Sequence, residues 1–204
     1  MASLQDFMPF VLPSLPACSQ PLAELHLRDV LRDFCEFTHI VQETLEPMDA
    51  VTGQAEYPLD LPAGCDLCLI QQAWWQNRPL AIVRSVQPWG GMSGTPDAIA
   101  QGPDNACVLN RPPANDLQQA IRLRVSLKPA RNANRIPDVL LRDYGYIIGQ
   151  GAIYRLLQIP GSGGSPSAAI TAGNAYLLAR TDARIRAERG LGTSAITVQP
   201  RRFI

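Results

Sequence analysis

The chain has 204 residues, 46% of them apolar and 18% charged, and its 18 basic and 18 acidic side chains cancel. This composition fits a folded globular chain, excludes a disordered tail and offers no apolar run long enough to span a membrane as a helix. The charge is unevenly spread: residues 1–100 hold 4 basic and 12 acidic side chains (4 − 12 = −8), and residues 101–204 hold 14 and 6 (14 − 6 = +8). Halves of opposite sign suit a chain that faces two different neighbours, or one that meets copies of itself through complementary surfaces.

The opening "MASLQDFMPFVLPSLPACSQ" carries Asp6, has no basic leader region and is cut by Pro9, Pro13 and Pro16. It reads as an extended arm over residues 1–20 rather than a signal peptide, so synthesis in the cytoplasm is expected. Ser19, Pro21 and Glu24 then mark a helix start. Leu27, Val30, Leu31, Phe34 and Thr38 recur at helical spacing, and Arg28, Asp29, Arg32, Asp33 and Glu36 lie on the other side. The spacing predicts an amphipathic helix within 21–40, with its charged face in solvent.

The period then changes. "AEYPLDLPAG" alternates through Tyr57, Leu59 and Leu61, and Gly53 marks a turn before it. "CDLCLIQQAWWQNRPLAIV" predicts two strands around Gln76, Asn77 and Arg78, with Trp74 and Trp75 on opposite faces. The Gly/Pro-rich stretch 87–105 reads as a long loop. In "AIRLRVSLKP", Ile121, Leu123, Val125 and Leu127 face one way, and Arg122, Arg124, Ser126 and Lys128 the other. Alternation of this kind predicts a strand with one core face and one basic face. Pro137 and Asp138 open a helix that runs to Gln158, and Ser165 and Pro166 open another that runs through Arg189. The predicted fold class is α+β. It is a helical bundle built from N- and C-terminal helices (21–40 and 137–190), with an inserted antiparallel β-rich block (41–136) and an extended C-terminal tail (191–204).

Few residues offer chemistry. Five cysteines (18, 35, 65, 68 and 107) are an odd number, which argues against a disulfide framework. "CDLC" has the spacing of half a zinc site or a redox pair, but the only histidines are His26 and His39, and there is no second such pair. Free thiols, with no metal and no cofactor, are the expectation. There is no HExxH, no GxSxG and no Walker lysine, the sole lysine being Lys128. The chain therefore does not read as an enzyme. Arg180, Arg184, Arg186 and Arg189 on the last helix supply the alternative of a small DNA-binding module, although the overall basic balance and recognisable fold of such modules are missing.

Three glycines stand inside the second long helix, at 145, 149 and 151, each costing about 1 kcal/mol relative to alanine. A phosphate cradle needs glycines at a strand-to-helix turn, whereas these lie mid-helix and lack a third GxGxxG glycine. Gly145, Gly149 and Ala152 instead form one smooth stripe. The last helix carries another, through Ala168, Ala172, Ala175, Ala179 and Ala183, so close packing of the two helices is expected.

In order, "LRDVLRDFCEFT", "GQAEYPLDLPAG", "LKP" and "IPDVLLRDYGYIIGQGAIYRLLQIPG", with an Ala-rich closing helix, resemble the head-to-tail adaptor proteins of tailed bacteriophages, most of all the tail tubular protein A family of short-tailed phages. The likeness spans roughly residues 20–190; "GSGGSPSAA" departs from it by lacking a tryptophan. The resemblance implies a structural virion protein at the head–tail junction. Such a protein is a ring, commonly of twelve copies, that binds the portal protein on one side and the tail nozzle protein on the other. DNA crosses its channel with non-specific contact, and no membrane is involved. By this analogy Arg201, Arg202 and Phe203 are candidate portal contacts, and Trp75, Arg122, Arg124 and Lys128 candidate subunit or nozzle contacts.

Overall fold

The computed structural model describes residues 1–16, 18–86, 93–159 and 165–189. Among these residues three α-helices carry one hydrophobic core: α1 (Gln20–Thr38), α2 (Asp138–Leu157) and α3 (Pro166–Arg189). Helix α1 buries Leu27, Val30, Leu31 and Phe34 as its periodicity requires, and ends at His39, whose positive φ of 51° closes the helix in the left-handed conformation. Two short 3-10 stretches, Leu4–Phe10 and Leu12–Ser14, precede α1. They put Leu4, Phe7, Met8, Val11 and Leu15 into the helical core, so the expected extended arm is instead a coiled, buried segment. The correction has a plain cause: apolar residues at 4, 7, 8, 11 and 15 recur at a helical period even though prolines shorten the turns. Each fully buried side chain of this kind is worth about 1.5–3 kcal/mol.

Among the described residues nine strands form two sheets. The first contains β1 (Gln42–Thr44), β2 (Met48–Ala50), β4 (Cys65–Trp75), β5 (Arg78–Pro79) and β9 (Leu117–Pro129). Its order is β1-β9-β4-β5, with β2 also paired to β9. The second has the order β3-β8-β7-β6, from β3 (Glu56–Pro58), β6 (Ala81–Val83), β7 (Ala98–Gln101) and β8 (Ala106–Leu109). A tight turn at Gln76 and Asn77, with φ of 45° and 68°, links β4 to β5. Positive φ at both central residues is the geometry whose twist matches a hairpin.

The long strand β9 organises the molecule. Ile121, Leu123, Val125 and Leu127 face the second core, shared with Leu67, Ile70 and Trp75 of β4 and with Ile99, Cys107 and Leu109 of the second sheet. On its other face lie α1 and the helical core. Ser126 is fully buried there, Lys128 Nζ is 2.6 Å from Glu36 of α1, and Arg32 of α1 donates to Asp66 at 3.0 Å and to the Pro129 carbonyl at 2.5 Å. The architecture is thus helices, curled sheet, second sheet.

This corrects the predicted class. The protein is α+β, but it is not a helical bundle with an inserted β block: the two sheets own a core of their own, and one of them is a curled half-barrel. Nor is the β part wholly antiparallel, since β6 and β7 run parallel. The charge split also finds partners inside one chain: Lys128–Glu36, Arg180–Asp33 (2.7 Å) and Arg111–Asp97 (3.6 Å) all join the basic half to the acidic half.

Candidate interaction surfaces

The glycines of α2 do receive close neighbours, but not those expected. A Cβ on Gly149 would lie 2.7 Å from Phe10 Cβ and 3.1 Å from the Phe10 carbonyl oxygen; one on Gly145 would lie 3.0 Å from the edge of the Phe10 ring. The smooth stripe Gly145–Gly149 is therefore the seat of the N-terminal segment rather than of α3. Gly151 performs the helix–helix role: its Cβ would meet Val30 of α1 at 2.7 Å and the Tyr176 ring of α3 at 2.8 Å. Gly173 of α3 reciprocates, with the Tyr154 ring of α2 at 2.8 Å. Two glycine–tyrosine contacts, one in each direction, set the approach of α2 and α3. In the predicted packing set, Ala152 and Ala172 are buried, Ala179 is half-buried and Ala175 is exposed.

A polar clasp reinforces this contact. Asp33 of α1 accepts hydrogen bonds from Tyr176 Oη and Arg180 Nη1, both at 2.7 Å, and the Arg180 guanidinium lies 4.1 Å from the centre of the Phe37 ring. Burial, followed by the Asp33 carboxylate, holds the Tyr176 hydroxyl well above the usual phenol range. Asp33 thus sits between helices and not on the solvated face that its charged neighbours suggest. Arg184 is engaged as well, with Glu188 at 2.8 Å and Phe37 below it. Half of the basic cluster proposed for DNA is consumed in this way, while Arg186 and Arg189 stay exposed.

At the end of α1, His39 Nδ1 is 3.2 Å from Ser126 Oγ and 3.5 Å from Cys68 Sγ. Burial, then the charge of Arg184, holds the imidazole below the ordinary histidine value, and burial raises the Cys68 thiol. A polar cleft of about 330 Å³ opens beside it, lined by His39, Gln42, Gln71, Arg124 and the end of α3. Among the described residues no three His, Cys, Asp or Glu side chains are placed to hold a metal ion.

The predicted contact residues have separate fates. Trp75 is 3% exposed and belongs to the second core, so it is not a surface contact; the strand face that buries it also holds Ile70 and Ala73. Arg124 Nη2 donates to Gln42 and Lys128 pairs with Glu36, whereas Arg122 is exposed. Arg201, Arg202 and Phe203 lie outside the described residues.

Two apolar surfaces went unrecognised in the sequence. Helix α3 buries Ala172, Tyr176 and Ala183, yet on its opposite side it exposes Ile170 (62%), Leu177 (46%), Leu178 (71%) and Ile185 (38%). Spacings of seven and eight residues keep these four in one stripe, a signal that the alanine pattern on the same helix obscures. The second surface is a groove of about 570 Å³ between the sheets, where Leu69 of β4 and Ile82 and Val83 of β6 are exposed. No described helix is long and apolar enough to cross a membrane. No family model and no curated protein matches the sequence.

Proposed function

We propose that the chain is a structural virion protein, a phage head-to-tail adaptor whose copies close into a ring between portal and tail nozzle, with DNA passing through the channel. The observation that carries this reading is the pair of unlike apolar surfaces on one chain. One is a helical stripe on α3, in the helical layer; the other is a groove between strands, in the β layer. A ring requires a heterologous contact, in which one patch of a subunit meets a different patch of the next, whereas a two-fold dimer needs only one self-complementary patch. Exposed apolar stripes of this kind mark association surfaces.

Roles follow for the remaining residues. Arg122, the one predicted strand-face cation that is exposed and pairs with no acid among the described residues, faces a neighbour or the nozzle protein. The tail carries Arg201, Arg202 and Phe203 to the portal. The protein is an assembly component and not an enzyme.

Negative-stain microscopy of the purified chain, alone and mixed with the portal protein of its virion, tests the reading. Ring-shaped particles stacked on the portal are expected. Solitary subunits that ignore the portal and bind DNA with steep salt dependence would instead favour a DNA-binding module.

A further inference from the structure

The inner side of α3 rests on α1 and α2 through Ala172, Tyr176 and Ala183, and its stripe of Ile170, Leu177, Leu178 and Ile185 points the opposite way. Charge is unevenly placed along this helix, since residues 166–179 carry none. At 3.6 residues per turn, Asp182 stands about 60° around the helix from Ile185, in the middle of the stripe, whereas Arg180, Arg184 and Arg186 stand about 100° or more away. Glu188 and Arg189, at the helix end, offset each other. An acid therefore borders the stripe, and most of the arginines lie off it. Arg180 is committed to Asp33 and Arg184 to Glu188, and Asp182 is exposed with no ion pair among the described residues. The groove in the β layer carries the opposite charge. Leu69, Ile82 and Val83 are exposed along it, so its apolar surface can receive side chains laid over it without any backbone entering between β4 and β6. Its one charged residue among those described is Arg84, exposed and paired with no acid.

We propose that the α3 stripe of one copy seats on this groove of the next, with Asp182 of the first paired to Arg84 of the second. The two surfaces match in order as well as in sign. On α3, Leu178 and Ile185 flank Asp182 at about one turn on either side and stand about 10.5 Å apart along the axis. In the groove, Ile82 and Val83 directly precede Arg84. Apolar side chains seated on Leu69, Ile82 and Val83 thus bring the acid to the base in the same register. A helix laid in a groove is read through anchors at such spacing, and a charge pair walled by apolar contact fixes the register and rejects like charge. The occupant is a second copy because the chain itself supplies both halves of the match, an apolar surface bordered by an unpaired acid and another bordered by an unpaired base. The contact joins the helical layer of one copy to the β layer of the next and leaves the complementary surface of each free, which is what a heterologous assembly requires. In this respect the inference rests on the ring reading above, and it names the two faces that meet.

The test exchanges the two charges in full-length chains and follows assembly by native mass spectrometry, alone and with the portal protein. Both side chains are exposed and unpaired, so Asp182→Arg and Arg84→Asp are each expected to keep the parent melting temperature. Each variant by itself sets like charges against each other, and assembly at least about tenfold weaker than the parent is expected. In an equimolar mixture of the two, every stripe can find a groove of opposite charge, so assembly is expected to return to within about threefold of the parent. Single variants that assemble as the parent does, or a mixture that stays apart, would overturn the contact between α3 and the groove and leave the ring reading standing. Loss with Asp182→Arg but not with Arg84→Asp would place the stripe on another surface and likewise overturn the contact. A parent dimer that is lost in each variant and restored in the mixture would keep the contact and overturn the ring. A parent chain that stays monomeric even with the portal protein would overturn both.

Discussion

Gly149→Ala sets two effects of similar size against each other. Alanine in a helix interior is favoured over glycine by about 1 kcal/mol, so propensity alone stabilises the variant. The added methyl, however, would sit 2.7 Å from Phe10 Cβ and 3.1 Å from the Phe10 carbonyl oxygen. Carbon pairs rest at about 3.5–4.0 Å, so the intrusion is near 1 Å, and it falls on the stem and backbone of Phe10 rather than on a mobile end. Overpacking of this kind costs roughly 1–3 kcal/mol, which offsets or exceeds the propensity gain and leaves a net loss of up to about 2 kcal/mol. At this chain length each kcal/mol moves the melting temperature by about 2–4 °C, so a fall of up to about 8 °C is expected in differential scanning calorimetry. Gly145→Ala is the control. Its methyl meets the edge of the Phe10 ring at 3.0 Å, which tilts away by a few tenths of an ångström, and a change near zero is expected. A Gly149→Ala variant that melts higher than the parent would show that the N-terminal segment is not seated on α2, and the reasoning would fail.

Other outcomes follow from the same contacts. Asp33→Ala removes the shared acceptor of Tyr176 and Arg180, and a loss of roughly 1–3 kcal/mol in urea unfolding is expected; an unchanged midpoint would exclude the clasp. Because burial depresses the His39 value, the unfolded chain takes up a proton first as the pH falls. Its contribution to stability is therefore complete above the unfolded value near 6.5 and is lost as the pH drops through the lower folded value. His39→Asn, which tolerates the left-handed φ of 51° at that position, is expected to flatten the stability difference between pH 7.5 and pH 5.5; an equal slope in both proteins would count against it. Burial pushes the Cys107 thiol up to about 12 and raises Cys35 as well, so neither is expected to react with a thiol reagent at pH 8 in the folded state. Mass spectrometry should find label only on Cys18, Cys65 and Cys68, and label at Cys107 before unfolding would contradict the second core. Deleting residues 191–204 is expected to leave the melting temperature unchanged and abolish capture by the portal protein, and retained capture would remove the tail from that contact.

How far the fold was legible depended on whether local pattern or tertiary context decided it. Strand β9 and helix α1 were readable because strict alternation and helical spacing each specify one buried face. Strand β4 was harder, since its register shifts between Leu67 and Leu69 and again between Ile70 and Gln72. Each bulge spends an extra residue, so its inward positions fall at 67, 70, 73 and 75 and the two-residue period disappears. That is why Trp75 looked available for a partner when its side chain fills the core. The N-terminal segment misled in another way: three prolines suggested an extended chain, whereas Phe7 and Val11 gain more by burial than the short turns lose. The glycines in α2 did announce close approach, but sequence alone could not say that Phe10 and Tyr176 were the approaching groups, because both contacts are set by tertiary packing. The candidate surfaces were the least legible, since an exposed leucine and a buried one are the same letter. Only the placement of α3 turns Ile170, Leu177, Leu178 and Ile185 into an outward stripe.

The central claim is that copies of this chain join through unlike surfaces and close into a ring. It is tested most directly by the native mass of the purified 22.3 kDa protein in the presence of its portal, compared with a Leu178→Glu variant of equal melting temperature. A single closed oligomer that falls to monomer on substitution is the expected result; a monomer in both samples, or an oligomer indifferent to the stripe, would contradict it.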